Sequence, residues 1–145
     1  MASKLYNLRF VASLLWLGFV LAISFMEAPL KFQAPSVSLQ IGLEVGRIVF
    51  DALNKVEWVL LILIALSLTV SHHSKKGGVL MLSLLTILLI QTFYLLPILD
   101  ARAEDIIEGQ SVAESNMHFY YVGIEVVKVV LLIVATHHFI KRGSN

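Results

Sequence analysis

Residues 77–99 read GGVLMLSLLTILLIQTFYLLPIL and contain no charged side chain. An α-helix rises about 1.5 Å per residue, so about 20 apolar residues span the hydrocarbon core of a bilayer. The segment is therefore predicted to be a transmembrane helix over about residues 77–98, with Pro97 interrupting it near its end. The whole chain of 145 residues has the same character, because 58% of it is hydrophobic and its mean hydropathy is +0.85. We expect an integral membrane protein.

Charge and cysteine content exclude several functional classes. The formal net charge of +1 excludes a strongly basic protein that binds nucleic acid. The absence of cysteine excludes disulfides, thiolate metal ligands and cysteine nucleophiles. The predicted partner is the lipid bilayer, and no nucleic-acid partner is expected. No internal repeat or linker divides the sequence, so residues 1–145 are predicted to form a single transmembrane domain.

Two further segments, near the two ends of the chain, are also predicted to be transmembrane helices. Residues 10–26 are uncharged up to Glu27 and Pro29, which predicts a helix over about residues 8–27. No small-x-small cleavage pattern follows it, so we expect a retained helix rather than a signal peptide. Residues 119–138 are apolar apart from Glu125 and Lys128, which predicts a helix over about residues 117–140 that faces the interior of a bundle.

The second helix has a composite pattern. Only Trp58 to Val70 is free of charge, and this stretch must borrow residues from about Asp51 onward to span the core. Upstream, Ser36 or Ser38 can cap a helix that follows Pro35. We therefore expect one long helix over about residues 38–71 that extends beyond the membrane on the outer side. The predicted fold is all-α, an integral membrane four-helix bundle.

The charges between the helices predict the orientation of this bundle. Cations of loops near membrane spans lie preferentially in the cytoplasm. With four alternating helices, both termini become cytoplasmic, as expected for a multi-pass protein of the bacterial inner (plasma) membrane. The cations on that side are Lys4, Arg9, Lys75, Lys76, Lys141 and Arg142. The opposite loop carries Asp100, Glu104, Asp105, Glu108 and Glu114 against Arg102 alone.

Helix four carries the strongest functional signal. His118, Tyr121, Glu125 and Lys128 recur at three- and four-residue spacing and share one face. Ionisable groups inside a membrane are costly and usually mark a pathway or a site. The structural alternative is a Glu125 and Lys128 pair that only pins the packing of helices.

A depth count predicts that other helices contribute to the same layer. Counting about 1.5 Å per residue from the cytoplasmic ends places Glu57, Gln91 and Glu125 at a similar level. Tyr94 lies one turn above Gln91, and Ser24 can reach the layer from helix one. We expect a polar layer in the outer half of the bundle that binds a ligand or a proton.

Charged residues nearer the outer surface form a predicted entrance to this layer. Helix two places Glu44, Arg47, Asp51 and Asn54 on one face, and Glu27 ends helix one. The alternative for these residues of helix two is a solvent-exposed helix surface with weak salt bridges between neighbouring turns.

Histidines provide an alternative site for haem or a metal ion. His72 and His73 end helix two, and His137 and His138 end helix four on the same side. Adjacent histidines on a helix diverge by about 100°, which disfavours joint ligation. We therefore expect no cofactor and no metal, with these four histidines as the alternative.

Three functional hypotheses follow. In the preferred one, the layer binds or translocates protons or a small polar solute in a homo-oligomer, and Glu57 and Glu125 carry the proton. In the second, the protein is an accessory or structural subunit whose charges pair with a membrane partner protein. In the third, it is a membrane enzyme acting on a lipid or quinone, with His118 or a buried carboxylate as general base. A cluster that closes on itself would argue against transport.

Several residues together resemble a known group of proteins. They are the exit of helix one, FMEAPLKF over residues 25–32, then Gly42, Gly46, Arg47, Phe50, Pro97, Arg102 and His118. In these features the chain is similar to small bacterial four-helix membrane proteins of unknown function that are distantly similar to transmembrane protein 205. The resemblance implies a four-helix bundle and supplies no mechanism.

Overall fold

The structure, a computed structural model, describes residues 2–70 and 74–143, which form four long helices and no β-strand. The first helix, α1, starts as Ala2–Val20 and continues through a π-helical segment, Leu21–Glu27. It ends in Ala28–Leu30 and a 3-10 turn, Lys31–Gln33.

The second helix, α2, is Leu39–Val70. Ser38 starts it, because its hydroxyl accepts a hydrogen bond from the backbone N–H of Ile41 at 3.2 Å. Of the two capping serines that the sequence offered, Ser38 is therefore the one that caps α2. The 32 residues of this helix make it about 48 Å long.

The third helix, α3, extends further than predicted. It runs from Lys75–Ile90 through a π-helical segment, Gln91–Leu95, into Leu96–Ile107. Pro97 does not end it, because this proline lies in the first turn after the π-helical segment, where a missing backbone N–H costs least. The fourth helix, α4, is Met117–Gly143.

The four helices pack around one core. α1 packs mainly against α2 and α4, and α3 packs against the same two helices. α1 and α3 are therefore diagonal to each other, as are α2 and α4. Trp16, Ile64, Leu88 and Leu132 fill the core, one from each helix, and none exposes more than 1% of its surface.

Three helices in the described part of the chain are long and apolar enough to cross a membrane. They comprise Asn7–Gln33, Lys75–Ile107 and Met117–Lys141. Their outward faces expose large apolar side chains such as Val79, Leu82 and Phe93, as lipid-facing helices do. Among the residues described, α2 does not join these three, because Asp51, Lys55 and Glu57 lie in the stretch that it would need to span.

One predicted surface cation is not at the surface. The sequence pattern placed Arg9 with the cations that flank the membrane, but only 2% of this residue is exposed. Its Nε donates to the hydroxyl of Ser67 at 2.7 Å, and its guanidinium also donates to the Ser67 carbonyl. Because its hydrogen-bonding partner lies on α2, Arg9 ties α1 to α2 inside the bundle. Lys75, Lys76 and Lys141 are exposed, as expected for flanking cations.

Candidate functional site

A buried lysine organises the centre of the bundle. The Lys128 ammonium donates to Oε1 of Glu57 and to Oε1 of Gln91 at 2.7 Å, and it lies 2.8 Å from Oε1 of Glu125. An ammonium has three donors and no acceptor. Three acceptors from α2, α3 and α4 therefore satisfy all of the donors of Lys128.

The remaining bonds bring in α1. The amide of Gln91 donates to Oε1 of Glu125 at 2.7 Å, and the Ser24 hydroxyl donates to Oε2 of Glu125 at 3.2 Å. The Trp16 indole N–H donates to Oε1 of Glu57 at 2.8 Å. Six side chains from all four helices thus form what we call the central cluster: Trp16, Ser24, Glu57, Gln91, Glu125 and Lys128.

The predicted polar layer is present at its centre. Glu57, Gln91 and Glu125, which the depth count placed at one level, meet through Lys128. Ser24 reaches the layer as expected. Trp16 was not predicted, because counting about 1.5 Å per residue from the expected start of helix one near residue 8 places it about 12 Å up, below the level of Glu57. Its indole N–H, in an otherwise apolar stretch, was the signal that could have identified it.

The cluster joins two helices whose backbones lie apart. α2 carries Glu57 and α4 carries Glu125 and Lys128, and these two helices face each other across the diagonal of the bundle. The long side chains of glutamate and lysine span the gap that the backbones leave. The cluster therefore holds together the pair of helices that main-chain packing leaves apart.

The central cluster is buried except for Ser24, which is partly exposed. Trp16, Gln91 and Lys128 expose none of their surface, and Glu57 and Glu125 expose 1% each. Among the described residues, every buried side-chain nitrogen or oxygen has a hydrogen-bonding partner. The charged groups use their bonding capacity on one another, as a buried ion cluster must if it is to offset its desolvation.

Two of the cluster residues lie in π-helical segments. Ser24 belongs to Leu21–Glu27 and Gln91 to Gln91–Leu95, and both side chains donate to Glu125. Each π-helical segment directly precedes a helical segment with a proline in its first turn. The wide turns therefore accommodate Pro29 and Pro97, and π-helical turns also occur frequently at functional sites.

The predicted members of the helix-four face separate into two groups. Tyr121 is buried one turn before Glu125, and its ring packs edge-on against Phe50 with centroids 5.6 Å apart. His118 is exposed, and its ring contacts that of Phe119. The structure thus places Tyr121 beside the central cluster and His118 on the surface of the bundle.

Tyr94 also lies outside the cluster. This residue is 57% exposed and lines an open apolar groove between α3 and α4, together with Tyr120 and Gly123. Its position one turn above Gln91 along α3 is correct, but the π-helical turn that contains both residues turns the Tyr94 side chain away from the centre.

The five residues of the predicted entrance have different partners and surroundings. Arg47 donates to both carboxylate oxygens of Asp100, at 2.6 and 3.0 Å, and the hydrogen bond to Asp100 raises the pKa of Arg47. Asn54 is buried and donates to the Thr92 hydroxyl at 2.9 Å. The others lie apart: Glu27 pairs with Lys31, Asp51 pairs with Lys55 one turn along α2, and Glu44 is exposed.

The two glycines of α2 receive the exit of α1. The ring of Phe32 occupies the space where a Cβ of Gly42 would stand, and the Lys31 ammonium lies 2.9 Å from the corresponding position at Gly46. Lys31 also lies 5.9 Å from the centre of the Phe50 ring. Close approach of the two helices thus depends on these two glycines.

The histidines do not assemble into a site in the described part of the chain. His138 Nε2 lies 2.9 Å from the hydroxyl of Ser74, which also caps α3, and His137 is exposed. His72 and His73 lie outside the described residues. Within those residues, no group of three histidine, aspartate or glutamate side chains could hold a metal ion.

Comparisons with protein-family models, curated proteins and solved structures found no match to this chain. The resemblance to relatives of transmembrane protein 205 therefore stays a prediction.

Proposed function

We propose that this chain is a four-span membrane protein with a structural or accessory role, in which the central cluster clamps the helices together. The bonding of the cluster is the observation that supports this proposal. Each donor of Lys128 meets an acceptor from the chain itself, and the described residues leave no buried side-chain donor or acceptor free for a substrate. A conduit for a polar solute would need groups that bind the solute instead.

The clamp explains how α2 acts as the fourth span in this proposal. Glu57 lies about 20 Å from the cytoplasmic end of the helix by the rise per residue. A charged side chain at such depth must be paired or hydrated. Bonds from Trp16 and Lys128 give Glu57 its partners, so that α2 can cross the bilayer as part of the bundle.

The proposed orientation has both termini in the cytoplasm of a bacterium. The exposed cations Lys75, Lys76 and Lys141 support it, because they flank the ends of α3 and α4 on one side. The segment between α3 and α4 lies on the other side and is acidic. Arg47 and Asp100 pair there and join the outer ends of α2 and α3.

The second candidate function is the binding or translocation of protons in a homo-oligomer. One observation favours it: both neutral side chains that bond to Glu125, those of Ser24 and Gln91, lie in π-helical turns. A shift of either turn would change the donors of Glu125 without a solute-sized cavity. An enzyme of lipid or quinone chemistry has less support, since His118 lies on the surface apart from the buried carboxylates.

Proton flux into liposomes tests the two candidates against each other. Purified protein is reconstituted with an internal pH-sensitive dye, and a potassium gradient with valinomycin imposes a membrane potential. With the structural role, we expect liposomes containing the wild type to be as tight to protons as empty liposomes. A protein-dependent flux that is lost in both Glu57→Gln and Glu125→Gln, and kept in the surface control Glu44→Gln, would overturn the structural role and establish the second candidate.

A further inference from the structure

The central cluster has an uneven number of charges. It contains two carboxyl groups, on Glu57 and Glu125, and one amine, on Lys128. The three acceptors around the amine are those that a charged ammonium requires, so Lys128 is a cation. With both carboxylates ionised, the buried cluster would carry a net charge of about −1 in a medium that strongly penalises charge.

Neighbouring groups do not supply the missing positive charge. The titratable groups around Glu57 are Lys128 and Glu125 on α4, with Tyr121 one turn further along the same helix. From α1, the indole of Trp16 donates a hydrogen bond but carries no charge. The other buried or partly buried cations of α1 lie at different levels: Lys31 pairs with Glu27 at the outer end, and Arg9 bonds to Ser67 about two turns before Trp16. Among the described residues, no second cation lies beside the cluster, so a bound proton is the remaining source of positive charge.

The donors of the cluster are distributed unequally between the two carboxyl groups. Glu125 accepts from Gln91 and lies against Lys128 at Oε1, and it accepts from Ser24 at Oε2. Glu57 accepts from Trp16 and Lys128, both at Oε1. Glu125 is therefore the more fully hydrogen-bonded of the two carboxyl groups. The hydrogen is assigned to Oε2 of Glu57, the oxygen that neither of its two bonds uses.

We infer that Glu57 is a proton-binding site, and that its proton makes the central cluster neutral. The inference rests on the proposed clamp, because a neutral cluster is the form in which such a clamp can lie inside a bilayer. The bound species is a proton rather than a metal ion or a solute, since the side chains close on one another and leave no further ligand position. The proton and the ammonium together balance the two carboxyl groups.

Infrared spectroscopy of the purified protein in lipid nanodiscs tests the inference. A protonated carboxyl group has a C=O stretching band that is separate from the bands of ionised carboxylates and that shifts in D2O. We expect this band in the wild type at neutral pH. In Glu57→Gln the remaining Glu125 and Lys128 balance each other, so the band is lost. It is also lost in Glu125→Gln, because Glu57 then ionises opposite Lys128.

Two further variants distinguish a proton bound to Glu57 from a proton shared between Glu57 and Glu125. Glu57→Asp is expected to move the band and Glu125→Asp to leave it in place, because the proton belongs to the first residue. The control Glu44→Gln, at an exposed carboxylate of α2, should leave the band unchanged. A wild type without the band, or a band that persists in Glu57→Gln, overturns the inference.

A pH titration gives a second measurement. A group that keeps its proton in the folded state stabilises the fold at low pH, and this contribution is lost as the pH rises and the proton dissociates. The wild type should therefore lose stability as the pH rises from the range in which an unfolded glutamate ionises to the pH at which the carboxyl band disappears, and Glu57→Gln should lack that loss. The proposed structural role is tested separately: it would be wrong if Lys128→Met left the stability unchanged. That result would not change the expected carboxyl band of the wild type.

Discussion

The ammonium of Lys128 on α4 bonds to the carboxyl group of Glu57 on α2, across the diagonal of the four-helix bundle. Neither residue exposes more than 1% of its surface. The rings of Phe50 and Tyr121 also pack between these two helices, and the bonds of Lys128 add the polar contacts that hold the diagonal pair.

Lys128→Met is expected to destabilise the bundle strongly. Removing the ammonium leaves two carboxyl groups and the Gln91 oxygen without their common donor, and breaking a buried ion pair costs about 3–5 kcal/mol. The measurement is the free energy of unfolding in mixed detergent micelles. Lys55→Met is the control, because Lys55 is exposed and its pairing with Asp51 one turn away is worth about 0.3–0.5 kcal/mol. Equal effects of the two variants would contradict the clamp.

Replacing all three charged residues together should reverse most of this loss. Glu57→Met, Glu125→Met and Lys128→Met in one chain remove the charges while keeping similar volumes. Apolar replacement of a whole buried ion cluster is often neutral or stabilising by about 1–4 kcal/mol. We expect the triple variant to unfold at higher detergent fraction than Lys128→Met alone. A triple variant that is less stable than the single one would show that the charges do more than satisfy one another.

Gln91→Leu is expected to weaken the cluster without changing its charge. The side chain both donates to Glu125 and accepts from Lys128, so its loss leaves two buried partners short of a bond. Each unsatisfied buried group costs about 1–3 kcal/mol. Gln110→Leu provides the matched control at an exposed glutamine, where a change within about 0.5 kcal/mol is expected. Similar unfolding curves for the two variants would remove Gln91 from the cluster.

Gly42→Ala should disturb the exit of α1. Its new methyl group would overlap the ring of Phe32, and overpacking of this kind costs about 1–3 kcal/mol. At Gly123 the space for a Cβ is open, so Gly123→Ala should instead stabilise α4 by about 0.5–1 kcal/mol. Both are measured by unfolding in micelles. Adding Phe32→Ala to Gly42→Ala should relieve the overlap, and an absence of relief would place the strain elsewhere.

The proposed topology can be tested with single cysteines, because the natural chain has none. Ser111→Cys lies between α3 and α4, and Lys76→Cys lies at the start of α3. In intact cells, a membrane-impermeant thiol reagent is expected to label position 111 and to label position 76 only after permeabilisation. The opposite pattern would invert the bundle. Labelling of both positions from one side would mean that α3 does not span the membrane.

The sequence by itself determined the helices, the three apolar spans and the level of the charged layer. Hydropathy and the rise per residue are local properties, so the positions of Glu57, Gln91 and Glu125 along their helices could be counted. Local signals also identified Ser38 as one of two possible caps of α2. Local signals placed the end of α3 too early, because a proline inside a helix usually ends it. Here a π-helical turn precedes Pro97 and allows the helix to continue to Ile107.

Only the tertiary structure decided which polar groups meet. Sequence spacing gives the direction of a side chain around its own helix, but not the rotation of one helix against another. That rotation brings Trp16 and Ser24 to the two carboxyl groups and buries Arg9 against Ser67. In the proposed clamp, it also brings charges that are costly when buried singly into one bonded set, because most donors of the cluster find an acceptor on another helix.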